Sequence, residues 1–488
     1  MKKYLAISIG PIIKTFSMAR KPREFWAASY LFSYLMQSIL EVFDNEKKTE
    51  LLSPYYKKGD EPKIGVGLFP DRAFYKIKGA DINVDGMLKE ALFYFACRVN
   101  LPIQVVNSFF CIMTVCEDYE TSSQAIDELN KQLDWVELNQ NTWSPDDFDT
   151  VLRFLQHTTN DNPSPLFEIA FGKKRYPIDT LEEIANPENM PITYSYQRYV
   201  CIVQADGDNM GSIVSSSQME GQLFDFSQNL MEFGKSACTL IDDFDGLPIY
   251  AGGDDLLFIA PVCGKGGKTI FDLIETIDEK YKQIQEIVRE KNIEVKKNGI
   301  TEKINTSMSY GISVIYYKYP LYEAWEIARN MLFGFAKKQV DGKNAIALNL
   351  RKNSGSDFRL MLSKSSDEYS CLKSLIESTP GETLVSSVAH KVRTNTPLLG
   401  TFGKEDLSSR LSAFFTQIID TEDKSTEAKK YLDETRKVLE LIMGNYIEKK
   451  VIQTKESTEK DTTQQATELF YSMLRIAKFI KGEEVKDE

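Results

Sequence analysis

Apolar and polar positions repeat along this chain with two periods, and these set out its elements. Short apolar runs bounded by Gly, Pro and Asp read as buried strands, and longer stretches with apolar residues three or four apart read as helices. Tyr4 to Ile9 (YLAISI) is such a strand, and Gly10-Pro11 turns it. The spacing predicts a helix over 12–43, broken near Pro22. Its second half, with Phe25, Trp26, Tyr30, Phe32, Tyr34 and Leu35, is apolar on most sides, as in a helix that is buried or at an interface. A hairpin over 64–77 with Pro70 and Asp71 at its tip, a helix over 84–98 and a strand over 108–116 complete a first unit. The same order then returns: a strand over 199–203, a helix over 221–244, a hairpin over 247–262, a helix over 268–291 and a strand over 306–316. A helix over 321–338 and a strand over 344–350 follow. Two copies of one α/β unit are therefore expected.

Between the copies the chain is more polar. Helical stretches over 122–133 and 145–155 and a Pro/Asn-rich connection over 160–165 read as a linking subdomain. From Arg351 the pattern is helical, over 357–365, 368–377, 404–419, 425–446 and 464–481. The polar stretch 453–463 reads as a mobile loop and 482–488 as a charged tail. The expected fold class is α/β (α+β), in four parts: 1–117, 118–196, 197–350 and 351–488.

Composition narrows the function classes. A chain of 488 residues with 42% apolar content holds several buried cores. The net charge of −12 argues against a free, nonspecific grip on nucleic acid, though not against RNA contacts inside an assembly. Seven cysteines form no CxxC pair and there are only two histidines, His157 and His390. This implies reduced thiols, a cytoplasmic location, no zinc site and no His-Asp metal nuclease. No run approaches the roughly 20 apolar residues of a membrane span. Gly10-Pro11 and Lys14 interrupt the N-terminal run that would otherwise mimic a signal peptide.

Candidate chemistry centres on Leu247 to Val262, LPIYAGGDDLLFIAPV. Asp254 and Asp255 at a hairpin tip raise each other's pKa, a cost that a divalent cation removes. The plain alternative is a solvated turn, since Gly and Asp are ordinary turn residues. Asp206 ends the preceding strand, so Asp206, Asp254 and Asp255, with Asp208 as a further candidate, offer hard oxygen ligands suited to Mg²⁺ or Mn²⁺. Two such ions can clamp the attacking and leaving oxygens of a nucleotidyl displacement. Gly207, Asp208, Asn209 and Gly211 precede a helix whose backbone N–H groups could take a triphosphate. Gly252 and Gly253 would let that ligand approach the backbone. Lys337, Lys338 and Lys343, in AKKQVDGKNA, are candidate phosphate cations, the alternative being pairing with a helix dipole. In the first copy Ser8-Ile9-Gly10 stands where the second has Asp206-Gly207-Asp208, and Phe69-Pro70-Asp71 stands for the glycines and aspartates. This suggests a supporting half and a catalytic half.

The strand-DGDNMG, the AGGDD hairpin, MSYGIS and the helix-AKKQVDGKNA ending together resemble a cyclase or polymerase Palm of the GGDEF type, with Asp-Asp after the two glycines. The opening ISIGPIIKTFSMARKPREFWAASYLFS resembles the large subunit of type III CRISPR effector complexes, III-B (Cmr) branch. The resemblance implies two ferredoxin-like Palm domains, a degenerate one over 1–117 and a catalytic one over 197–350, plus helical linking and C-terminal domains. It implies a nucleotidyltransferase that turns over ATP when guide RNA in the complex finds target RNA. Catalytic and metal-binding duty carries over to Asp206, Asp254 and Asp255. Asp208 matches the motif, with the alternative that it faces away, and an acceptor nucleotide would lie near Gly10 and Asp71. The product implied is a cyclic oligoadenylate, or AMP joined to S-adenosylmethionine. Family members often carry an HD nuclease and a cysteine-ligated zinc module. This chain opens at the first Palm without a CxxC, so no HD nuclease activity is expected. Two alternatives stay open: a non-catalytic scaffold of the complex, against which the retained acids speak, and a stand-alone GGDEF cyclase, which would need a sensor domain and homodimerisation. A relay from bound RNA through the C-terminal helices and the aromatic helix is a further expectation.

Overall fold

The computed structural model describes residues 1–59, 65–79, 82–138, 145–156, 165–171, 180–297, 300–378, 382–417, 425–452 and 459–482. His157 and the expected segments 160–164, 453–458 and 483–488 lie outside these residues.

The first sheet is built from β1 (Lys2–Gly10), β2 (Thr49–Ser53), β3 (Arg72–Ile77) and β4 (Cys111–Tyr119), in the order β2-β3-β1-β4, all antiparallel. Helix α1 (Pro22–Asp44) follows β1 after a short turn at Ile12–Phe16, and α2 (Val84–Val99) lies between β3 and β4. Pro22 occupies the first turn of α1, where its missing N–H is no loss. The Glu24 carboxylate accepts from the Arg20 and Lys21 backbone N–H groups (2.7 and 3.3 Å), so the expected break is a capped helix start. Helix α3 (Ser122–Leu138) leads into the linking segment.

The second sheet contains β5 (Tyr199–Gly207), β6 (Leu247–Gly252) and β7 (Asp255–Pro261), with α4 (Leu223–Asp243) between β5 and β6. Helix α5 (Ile270–Glu290) and a small hairpin, β8 (Glu294–Lys297) and β9 (Ile300–Lys303), precede β10 (Met308–Tyr316). Helix α6 (Leu321–Asn330) runs into a π-helical segment, Met331–Ala336, and then β11 (Ala345–Arg351) and β12 (Asp357–Ser363). The order is β12-β11-β10-β5-β7-β6. Within it, β6-β7-β5-β10 repeats β2-β3-β1-β4 strand for strand, which is the expected duplication.

Alternate residues of β10 face opposite helical layers. Tyr310 donates to Asp278 of α5 (2.8 Å). Gly311 faces α6, where an added Cβ would run into the Ala328 carbonyl and the Leu332 N–H. The C-terminal region holds α7 (Glu382–Thr394), α8 (Thr426–Ile452) and α9 (Glu459–Gly482) among its helices.

Several expectations are corrected. The segment 65–71 forms no strand of the first sheet, and β3 pairs instead with β2, which the sequence reading missed. The apolar run is buried by other means: the Trp26 indole donates to the Gly65 carbonyl (2.7 Å), Phe69 N to Ser33 Oγ (2.9 Å) and Ala251 N to the Gly67 carbonyl (3.0 Å). The expected helix 357–365 is strand β12, because Phe358, Leu360 and Leu362 are buried in alternation with Asp357, Arg359 and Met361. A helix at Ile103–Phe109 precedes β4, which displaces the expected strand 108–116 toward Tyr119. Glu459–Thr463, read as loop, opens α9.

The two units pack together. Trp325 of α6 lies against Phe16 (5.2 Å between ring centroids) and Phe25 (5.7 Å), and its indole donates to Gln204 of β5 (2.9 Å). Trp26 stacks on Phe167 of the linking segment (4.9 Å, 6° between planes). The apolar surface of α1 is thus used within the chain. All seven cysteines are free thiols. No described helix is long and apolar enough to cross a membrane.

Candidate active site

The second sheet brings its acids together through strand register. Ala205 of β5 stands opposite Leu256 of β7, so one step further Asp206 stands opposite Asp255. Directly opposed residues of an antiparallel pair share a face, so the register places both acidic residues on one side of the sheet end. Gly252 pairs with Asp255, which leaves Gly253 and Asp254 as a two-residue turn, and Gly253 takes φ +67°, where glycine is unstrained. Gly207 N donates to the Asp254 carbonyl (3.2 Å). A Cβ on Gly207 would lie 2.8 Å from both Asp254 Cβ and Tyr281 Oη, so glycine is what lets the strand end close on the turn. Gly252 is held against the Tyr250 ring, and space beside Gly211 is open.

The other expected residues divide. Lys337 follows the π-helical segment, forms an ion pair with Asp206 and donates to the Gly207 carbonyl (3.0 Å). Lys343 donates to Asn209 Oδ1 (2.9 Å), and the Asn209 amide donates to the Asn305 carbonyl (3.0 Å), which fixes the loop after β5. Lys338 is exposed beside Glu326 and Arg351 and is not brought to the tip. Asp208 is fully buried and accepts from Ser307 Oγ (2.6 Å), Ser309 Oγ (2.9 Å) and Asn344 N (2.9 Å). It clamps β5 to β10 and to the start of β11, and is corrected from a nucleotide contact to an internal brace. The Ser307-x-Ser309 spacing, polar on one face of an apolar strand, was the signal for its partners.

No group of three or more Asp, Glu, His or Cys side chains among the described residues is arranged as a ready cage for an ion. The expected ligand set of Asp206, Asp254 and Asp255 is therefore not pre-assembled; the nearest cation, Lys337, takes up the Asp206 carboxylate. The donor chemistry nevertheless fits a divalent ion. Asp254 and Asp255 make no ion pair among the described residues, and burial lifts the Asp254 carboxyl to about 6. Burial also raises Asp255 well above the carboxylate range, with Asp254 and then Asp71 adding to it. A charge deficit of this kind is what hard cations relieve. Burial lowers the Lys337 ammonium to about 7, with Lys343 adding to the shift. Its polar contacts among the described residues, the Asp206 carboxylate, the Gly207 carbonyl and Asp208 Oδ1 (3.9 Å), are all acceptor oxygens, so we assign Lys337 its charged form.

The first sheet shows the same corner with one acid in place of three. Ser8 stands opposite Arg72 and Ile9 N donates to the Asp71 carbonyl (3.0 Å). By register, Ser8, Asp71 and Arg72 take the places of Asp206, Asp254 and Asp255. Asp71 is raised by burial, with Arg72 opposing the shift. The Arg72 guanidinium bonds to Asn130 (2.8 Å) and Asp134 (2.5 Å) on α3. The N-terminal Ser122 and Ser123 N–H groups of α3 both donate to Glu220 of the second unit (3.0 Å each), so one helix braces both corners. Beside Gly10 the space is open.

Comparison with known proteins agrees with this arrangement. Residues 199–347 match the family model for the Cas10/Cmr2 second palm domain, and residues 4–75 match that for the CRISPR-associated protein Cmr2 N-terminal region. The CRISPR system Cmr subunit Cmr2 of Pyrococcus furiosus is 30% identical over 200 residues, covering 36% of this chain and 20% of that protein. The chain thus spans about a fifth of the length of this curated relative. A type III-B Cmr-beta structure in its apo state has the same fold, with a TM-score of 0.50 at 11% identity over 87% of this chain and 78% of the other. The acid-bearing tip thus lies in a segment similar to the Cas10/Cmr2 second palm domain, and the first unit opens in one similar to the Cmr2 N-terminal region.

Proposed function

We propose that the tip of the second sheet is a metal-dependent nucleotidyl-transfer site acting on ATP, and that the chain serves as the large subunit of a type III-B RNA-guided complex. Its partners in this reading are other complex subunits, guide RNA and target RNA. One observation carries the reading: Asp206 opposes Asp255 beside Asp254, whereas the duplicate corner holds Ser8 and Arg72. A corner kept only for folding could use the Ser/Arg arrangement, and these half-buried acids cost stability unless they bind a cation.

Asp206, Asp254 and Asp255 would hold Mg²⁺ or Mn²⁺, which when bound supplies charge at phosphoryl oxygens and lowers the pKa of an attacking hydroxyl. Lys337 contributes a cation at the same tip, and Lys343 holds the loop after β5 through Asn209. The acceptor oxygen or sulfonium compound would enter from the side of Asp71 and Gly10. Attack on the α-phosphorus of ATP releases pyrophosphate. The output would be a second messenger, either a cyclic oligoadenylate or AMP joined to S-adenosylmethionine.

The test uses the assembled complex with target RNA, ATP and Mn²⁺, with and without S-adenosylmethionine, and products resolved by mass spectrometry. Adenylates from ATP alone, lost in Asp254→Ala/Asp255→Ala, support the oligoadenylate form. A product only with S-adenosylmethionine supports the conjugate form at the same site. No product in either mixture, from a complex that still binds target RNA, overturns the proposal in favour of a scaffold.

A further inference from the structure

A cavity of about 850 Å³ opens between the β12 edge of the second sheet and the C-terminal helices α7 and α9. Its size suits a small-molecule site. Two guanidinium groups enter it, each lying on an aromatic face: Arg393 over Tyr471 (4.8 Å) and Arg475 over Phe358 (5.2 Å). Arg359 also lines the cavity, but Asp357 already holds it (3.0 Å). Among the described residues Arg393 and Arg475 make no ion pair, and Arg475 Nε is buried without an acceptor. A buried donor left unsatisfied costs roughly 1–3 kcal/mol, which an incoming acceptor would recover.

An arginine stacked on a ring keeps its planar N–H edge free, the geometry that grips phosphate oxygens in pairs. Met331 and Phe335 supply an apolar wall beside the arginines, and Gln339 adds an amide suited to a base edge. Glu468 also lines the cavity and accepts from Gln464 (2.9 Å). The two stacked arginines, which it does not pair with, favour an anion over a neutral ligand. We propose that this cavity is a second nucleotide site, separate from the acid-bearing tip, with the phosphate on Arg393 and Arg475 and the base on the apolar wall. An occupant would rest on the same π-helical segment that carries Lys337 to Asp206. The chemistry is shared by a free nucleotide and by a nucleotide within an RNA strand.

The experiment titrates the full chain, in an Asp254→Ala/Asp255→Ala background and without divalent metal, with AMP and separately with a short oligoadenylate RNA. Removing the tip acids and the metal makes the result independent of ATP turnover. Binding of either probe, weakened roughly tenfold or more by Arg393→Glu and by Arg475→Met, is the expected result. Sensitivity with AMP assigns a free nucleotide; sensitivity with the RNA alone assigns a strand-borne one. Arg393 is exposed, so its variant keeps the test valid if Arg475→Met does not fold. Binding unaffected by Arg393→Glu, no binding of either probe, or capture of an acidic peptide in their place overturns the proposal.

Discussion

Asp206 and Asp255 face each other because of one register, and the same register in the duplicate corner holds Ser8 and Arg72. The two corners thus share this register and differ in the side chains that it pairs. Asp254 adds a titratable signature. Its carboxyl is lifted by burial from the ordinary 3.8 to about 6, so the folded chain binds this proton more tightly than the unfolded chain. The resulting stabilisation is fully present below about pH 3.8 and is lost as pH rises through about 6. Chemical denaturation of wild type and Asp254→Asn in EDTA, at about pH 4 and about pH 7.5, reads it directly. Wild type should lose stability relative to the variant at the higher pH, and added Mn²⁺ should restore it; parallel pH curves would refute the assignment.

At the scale of elements, the π-helical segment Met331–Ala336 sets where Lys337 lies, and it does so against Gly311 of β10. The absent Cβ allows the Ala328 carbonyl and Leu332 N–H to approach the strand. Gly311→Ala should cost about 1–3 kcal/mol, since only backbone movement can make room. It should also reduce ATP turnover by moving Lys337. An unchanged unfolding midpoint would count against this account. Element identity was legible wherever period and length agreed, as in β5, β7, α4 and α5. It failed at 357–365, where a helix was read into DFRLMLS although its apolar residues repeat every second position. It failed again in the expected hairpin over 64–77, where residues 65–71 are buried by α1 and by β6 of the other sheet and not by a strand of their own sheet. Such tertiary burial leaves no local period. The acids of the tip were legible because they end apolar strands, whereas the burial of Asp208 was not, since its Ser307, Ser309 and Asn344 partners lie about a hundred residues away.

On the scale of the whole molecule, the two units pack through aromatic contacts, a backbone bond from Ala251 to Gly67 and one shared helix. Trp325 joins α6 to Phe16 and Phe25, and α3 links Arg72 at one corner to Glu220 at the other. Trp325→Ala should destabilise the chain by about 3–5 kcal/mol. Its first effect should be enhanced hydrogen exchange at both unit faces, around α1 and the end of β5. Exchange confined to α6 would show that the units do not depend on this contact. The proposed activity depends on the acid-bearing tip. Its most direct measurement is the rate of ATP consumption by the target-RNA-bound complex across a Mn²⁺ titration, for wild type and for Asp254→Ala/Asp255→Ala. The account predicts metal-dependent turnover that falls at least about a hundredfold in the variant while RNA binding is retained. Equal turnover in the two complexes, or turnover that ignores the metal, would contradict it.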